Sequence, residues 1–171
     1  SSDYYQISDV NIIIENINEN WESKKKLYIE LNQICSHDVI FAANTSCISI
    51  TKLASLVNRP ENVIGVHFMN PVYLKNIVEV VKGFHTSHDT IDIINEFLNN
   101  INSKAVIVND FPGFVANRLS HLFMNEAAFL VQDSVSVPKD IDLIFKKGYG
   151  HAMGPLETAD LIGLDTVVDS L

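Results

Sequence analysis

The chain has 171 residues, 47% of them hydrophobic, and a net charge of −9; this suits an ordered protein with one sizeable core or two small ones. The acidic balance, with no basic run beyond Lys24-Lys25-Lys26, argues against a nucleic-acid partner, and no apolar run approaches the roughly 18 residues of a membrane helix. No secretory signal opens the chain, and two cysteines, Cys35 and Cys47, are too few for a disulfide framework; each reads as a small buried residue in a reducing cytoplasm.

In chain order, residues 1–8 are polar and aromatic with no clear period. The β-branched run at 10–14 predicts a buried parallel strand, and Glu15 through Asn20 leave it as a polar loop. Leu27, Leu31 and Ile34 recur at helical spacing and predict a helix over 21–35, with Lys24, Lys25, Lys26, Glu30 and Gln33 on its wet side. Residues 39–43 form the next strand, ended by Asn44-Thr45-Ser46. A helix over 50–57 follows, capped by Ser49 and broken by Arg59-Pro60-Glu61; the third strand is 63–67. This alternation implies a parallel sheet with right-handed crossovers. In such sheets ligands bind beyond the carboxyl ends of the strands. The polar clusters at 15–20, 44–46 and 67–70 all sit there, so they are expected to open onto one crevice.

Residues 77–81 and 105–108 read as two further strands. The helix predicted between them, over 90–101, is amphipathic, with Ile91, Ile94, Phe97, Leu98 and Ile101 on one face. Strand patterning stops at Asp110-Phe111-Pro112-Gly113-Phe114. Beyond it Val115, Leu119, Leu122, Phe123, Glu126 and Leu130 describe a long helix. Pro138 starts another at its first position, ended by Gly148-Tyr149-Gly150; 155–162 is a third, and Asp165 begins a fourth. The expected organisation is an α/β domain over 1–110 and an all-helical one over 111–171.

One histidine and one acid stand out. His67 ends the third strand, and Glu79 lies in the middle of the next apolar run. A buried carboxylate needs a partner, and an imidazole paired with one is a common general base near neutral pH. On these residues alone, the plainer reading is a core histidine and an edge-strand glutamate that never meet. No G-x-G-x-x-G follows a first strand, so the usual pyrophosphate cradle is not seen. Read in the same plain way, Lys24 is a solvated helix lysine, Ser46 a turn former and Asn117 an ordinary helix residue. His37, His85, His88, His121 and His151 show no ligand spacing on one helix, and no metal site is expected.

Several motifs, taken together, resemble the NAD-dependent 3-hydroxyacyl-CoA dehydrogenase family. They are Asn44-Thr45-Ser46, His67-Phe68-Met69-Asn70-Pro71, Val78-Glu79-Val80, the run from Asp110 to Leu119, and the run from Gly154 to Thr166. Their order and spacing fit, and the resemblance spans residues 7–171. It implies a Rossmann-type sheet followed by a helical domain that also forms a homodimer interface. It implies NAD as cofactor and a role in fatty-acid metabolism. By the resemblance, His67 is the catalytic base, Glu79 the acid that holds it, Ser46 a hydroxyl that places the substrate's 3-oxygen, and Asn117 an amide that polarises the substrate. Glu19 and Lys24 fall near the nicotinamide half of NAD, and Asn44 touches cofactor and substrate.

The departures are informative. The family's Gly-rich strand–turn–helix belongs upstream of Ser1 and the end of its helical domain beyond Leu171, so the N-terminal part of the sheet is read as missing and the chain as incomplete. The piece alone is expected to bind NAD weakly or not at all. Phe68-Met69-Asn70-Pro71 and Leu74-Lys75 also look like a branch that oxidises three-carbon units on an acyl-carrier protein for polyketide extender synthesis. The expected substrate is therefore an acyl-CoA or an acyl-carrier-protein thioester, with CoA ranked first. A non-catalytic protein that kept the fold is the rival class, opposed by the intact set Ser46, His67, Glu79 and Asn117.

Overall fold

The computed structural model describes residues 4–169. The outermost residues of both expected domains, 1–3 and 170–171, lie outside the described residues. The chain divides into two units, one ending at Phe114 and the other beginning at Val115. The division falls after the Phe111–Phe114 segment, because the Phe114 side chain is buried in the core of the first unit.

The first unit is built on a five-stranded sheet in sequence order: β1 (Ile12–Glu15), β2 (Ile40–Ala43), β3 (Val63–Phe68), β4 (Ile77–Lys82) and β5 (Lys104–Asn109). Helices α1 (Trp21–Ile34) and α2 (Ile50–Ala54) join β1 to β2 and β2 to β3, and those strands are parallel, as the alternation predicted. The link from β3 to β4 has no helix, and the two strands run antiparallel; a short connection without a crossover permits no other pairing. Helix α3 (His88–Asn100) restores parallel pairing between β4 and β5.

Both sheet faces are covered, so strand side chains alternate between two apolar layers. Phe41, Ala43, Val63 and Val81 pack with Tyr28, Leu31, Ile50 and Leu53 of α1 and α2. Ile40, Ala42, Ile64, Val66, Val78 and Val80 pack with Ile91, Ile94 and Leu98 of α3. Full burial of each large apolar side chain contributes about 1.5–3 kcal/mol. Gly65 shows how close α2 lies on the sheet. A Cβ there would stand 2.8 Å from Ile50 Cδ1 and 2.7 Å from Val81 Cβ, so only glycine fits.

Helix α2 is shorter than expected. Its continuation tightens: the Leu56 N–H donates to Leu53 O and the Val57 N–H to Ala54 O, an i to i−3 pattern that ends an α-helix. Its N-terminus is capped by Ser49 and also by Asp110, whose Oδ2 accepts from Ser49 Oγ and the Thr51 N–H, each at 2.8 Å. Asp110 thus ties the end of the sheet to α2.

The second unit contains α4 (Ala116–Gln132), α5 (Pro138–Gly148), α6 (Pro155–Ile162) and α7 (Leu164–Asp169). Met124, Ala159 and Val167 form its buried apolar centre. Phe123, Phe145, Tyr149 and His151 pack ring against ring at one side. Helix α6 has glycine at its N-cap, and the cap is supplied by another helix: the Asp142 carboxylate of α5 accepts from the N–H groups of Leu156 (2.9 Å) and Glu157 (3.1 Å). A Cβ on Gly154 would lie 2.3 Å from that side chain. No described helix is long and apolar enough to cross a membrane.

Candidate active site

The site lies at the carboxyl ends of β1, β2 and β3, where the chain emerges in polar loops. The antiparallel reversal after β3 sets His67 directly opposite Glu79. His67 Nδ1 and Glu79 Oε2 are 2.7 Å apart, and the residues are 7% and 6% exposed. An ionised carboxylate only accepts hydrogen bonds, so Nδ1 carries the proton and donates it to Glu79. The lone pair of the neutral ring is then on Nε2. Ser46 Oγ lies 3.2 Å from Nε2 and donates to it. The Phe114 ring packs edge-on against the imidazole, 5.8 Å between centroids. A ring fixed at both nitrogens and sheltered from bulk water can take up a proton at Nε2, with the charge formed stabilised by the carboxylate behind it. The plainer reading, in which the two never meet, does not hold.

The β2–α2 loop holds Ser46 in place through Glu19 of the β1–α1 loop. Glu19 Oε1 accepts from the N–H groups of Ser46 (3.0 Å), Cys47 (2.8 Å) and Ile48 (3.2 Å), and from the Thr45 hydroxyl. Consecutive N–H groups converging on one carboxylate oxygen form an anion-holding nest. Asn44 links the three strand ends: its Nδ2 donates to Asn16 Oδ1 at 2.8 Å, and its Oδ1 accepts from the Phe68 N–H at 3.3 Å.

Lys24 is not the solvated residue its helical position suggested. It is 0% exposed, and its ammonium donates to both carboxylate oxygens of Glu15 at 2.7 and 2.8 Å and to Ile17 O at 3.4 Å, with Glu19 Oε2 at 3.8 Å. It has no surface to offer a ligand directly. Glu15, read from sequence as the start of a polar loop, is the buried partner that brings it inside. The signal was present as an acid at a strand end and a lysine one helix turn into the following helix, but nothing in the period of either element connects them. Cys47, expected to be buried, is exposed, because it lies on the β2–α2 loop rather than in an element; Cys35 is half-buried. Asp110 and Phe114 also escaped the sequence reading as supports of the site. Asn117 is the second residue of α4 and belongs to the second unit.

The residues at these strand ends fit part of a dinucleotide. Asn16, Asn44 and Glu19 offer amide and carboxylate groups suited to a carboxamide and to ribose hydroxyls. Neither the 16–20 turn nor the 44–49 turn contains a glycine, so neither is a pyrophosphate cradle.

Together the parallel strands, the helices on both sheet faces and the polar loops at the strand ends define an α/β unit of the open, doubly-wound class. Residues 1–111 match the family model of the 3-hydroxyacyl-CoA dehydrogenase NAD binding domain, and residues 113–171 that of the C-terminal domain. The chain belongs to the 3-hydroxyacyl-CoA dehydrogenase family. It is 46% identical over 156 residues to a probable 3-hydroxybutyryl-CoA dehydrogenase of Bacillus subtilis, covering 91% of this chain and 54% of the relative. It is 42% identical over 168 residues to the 3-hydroxybutyryl-CoA dehydrogenase of Clostridioides difficile, covering 98% and 60%. The crystal structure of (S)-3-hydroxybutyryl-CoA dehydrogenase from Ralstonia eutropha superposes with a TM-score of 0.96 at 37% identity, over 99% of this chain and 60% of that one. The chain thus spans a little over half the length of these relatives.

Proposed function

We propose that the intact protein carrying this chain oxidises a 3-hydroxyacyl-CoA to the 3-oxoacyl-CoA, and runs the reverse reaction when the ratio of reduced to oxidised cofactor favours it. The observation that carries the proposal is the line Glu79–His67–Ser46, with a carboxylate on one imidazole nitrogen and a hydroxyl on the other. The substrate's 3-hydroxyl gives its proton to His67 Nε2, and Glu79 steadies the imidazolium. Ser46 donates to the 3-oxygen as it becomes a carbonyl, and Asn117 is assigned to the thioester side. NAD, when bound, would supply the hydride acceptor for C3; Asn44 and Asn16 would hold its nicotinamide end, a reading supported by their position at the strand ends beside His67 and Ser46.

The relatives' names mention a four-carbon CoA thioester, which supports CoA over a carrier protein. Charge points the same way, since an acidic chain does not attract an equally acidic carrier protein by bulk field. Exposed apolar side chains on the second unit, among them Leu119, Leu122, Leu161 and Val168, support a homodimer of the intact protein. The test is NADH consumption with acetoacetyl-CoA, beside the same acyl group on a carrier protein and oxidation of a glyceryl-carrier-protein. Turnover confined to carrier-bound substrates sinks the CoA assignment, and no turnover with any of them leaves the non-catalytic reading.

A further inference from the structure

Phe114 combines an unusual backbone with a buried ring. Its φ is +49° and that of the preceding Gly113 is +72°, a region in which a residue with a Cβ is strained. The segment leading to it is pinned at several points. The Asp110 N–H donates to Lys82 O at the end of β4 at 2.9 Å, the Asp110 carboxylate holds the start of α2, and the Phe114 N–H closes a turn on Phe111 O at 2.9 Å. This seats the ring in the apolar layer that contains Val63 and Val81. Alternate residues of a strand share a face, so His67 and Glu79, an even number of residues from Val63 and Val81, point to that same layer. The Phe114 ring lies where the layer meets the imidazole.

We propose that Phe114 is a positioning residue for the proton transfer, its ring fixing the plane of the His67 imidazole. The inference rests on the dehydrogenase reading for its kinetic consequence but not for its structural one. The second side-chain torsion of a histidine is broad, so hydrogen bonds or packing must choose the plane of the ring. In the free site Glu79 and Ser46 hold the two ring nitrogens. During the reaction the substrate's 3-hydroxyl takes the place at Nε2, and Glu79 remains on Nδ1. A single hydrogen bond leaves an imidazole free to rock about its axis. The edge of Phe114, 5.8 Å away between centroids with the ring planes at 62°, blocks that motion and keeps the Nε2 lone pair aimed at the incoming proton. A displacement of about 1 Å at a positioned group costs up to about a hundredfold in rate. At 5% exposed, the ring has no surface to offer substrate or cofactor, so its loss acts through His67.

The experiment uses the intact protein with Phe114→Leu, Phe114→Ala, His67→Ala and the Phe114→Ala/His67→Ala pair. Solvent exchange of the His67 Nδ1 proton is read by NMR of histidine-labelled protein, because a rocking ring opens its bond to Glu79 more often. kcat, KM, the NAD dissociation constant and the urea midpoint are measured beside it. Phe114→Leu keeps most of the apolar volume but no ring. In it the Nδ1 proton is expected to exchange at least about tenfold faster, and kcat to fall about ten- to a hundredfold. KM for the acyl-CoA and the NAD dissociation constant are expected to move less than about threefold. Phe114→Ala is expected to be at least as severe. In the His67→Ala background it is expected to add less than about twofold, since a residue that acts through another has nothing left to act on. A folded Phe114 variant with the parental kcat overturns the proposal, whatever its urea midpoint, and makes Phe114 a core residue only. So does a rise in KM or in the NAD dissociation constant that accounts for the whole loss, or an effect that multiplies in the pair, either of which makes the ring a ligand contact. If neither Phe114 variant folds, the parent decides: through-space transfer between the Phe114 ring and the carbon-bound protons of His67, with a slowly exchanging Nδ1 proton, supports the proposal, and absence of either overturns it. Faster Nδ1 exchange in variants of a protein that turns over no 3-hydroxyacyl thioester leaves the positioning role standing and removes the dehydrogenase reading.

Discussion

His67 and Glu79 face each other across β3 and β4, twelve residues apart in sequence and 2.7 Å apart between Nδ1 and Oε2. The contact is made by strand register, not by a flexible side chain reaching across a cleft. Glu79→Gln preserves the shape but removes the charge that stabilises an imidazolium. In the intact protein it is expected to lower kcat at least about tenfold with little change in NAD affinity, and His67→Ala about 10²–10⁴-fold. Steady-state kinetics decide: a Glu79→Gln enzyme with the parental kcat makes the pair structural.

Lys24 is a stability prediction. Replacing it with Met leaves the Glu15 carboxylate buried without its cation, which costs about 3–5 kcal/mol. Adding Glu15→Gln removes the stranded charge and is expected to recover most of that loss. Urea denaturation of the three variants tests it. A Lys24→Met protein as stable as the parent means that the ammonium and the carboxylate are not paired in solution.

The neighbouring Tyr28 behaves in the opposite way. Its ring is fully buried in the core, its hydroxyl has no hydrogen-bond partner, and burial followed by the charge on Glu15 holds that hydroxyl's pKa well above its ordinary value. Tyr28→Phe keeps the packing and deletes an unsatisfied group, so it is expected to be neutral or stabilising by about 1 kcal/mol. A lower urea midpoint shows that the hydroxyl does find a partner.

Acid sensitivity is expected in the second unit. His121 is buried on α4, its Nδ1 lacks a partner, and burial pushes its pKa below the usual value. Between that lowered value and the unfolded value of about 6.5, the unfolded chain binds the extra proton. Stability from this group is therefore present above about pH 6.5 and lost as the pH falls toward the folded value. In His121→Leu the decline in stability from about pH 7 to about pH 5 is expected to be shallower than in the parent. Equal slopes in urea titrations at the two pH values remove His121 as the cause.

How much of this was legible beforehand depends on where each partner lies. Helix α6 was read with its observed bounds, because Gly154-Pro155 and Gly163 mark both ends locally. The parallel strands β1 to β3 followed from alternation and spacing. His67 and Glu79 were each conspicuous, but their pairing came from an antiparallel turn-back that residue spacing alone did not announce. Lys24 was misjudged because a helix period assigns any charge to solvent, and its partner Glu15 belongs to another element. Asp110 was read as a boundary marker; its work at the N-terminus of α2 is a contact over 59 residues, beyond any local pattern.

The β3–β4 reversal has a consequence for how such a protein can diversify. His67 and Glu79 are locked by the ladder on either side of the 69–76 loop, where Val72, Tyr73 and Leu74 are exposed, Tyr73 at 86%. Insertions, deletions or wholesale rewriting of that loop leave the ladder register intact, so they leave the imidazole and carboxylate where they are. The loop and the His67–Glu79 contact can therefore vary independently, and lineages can exchange one loop for another without losing that contact.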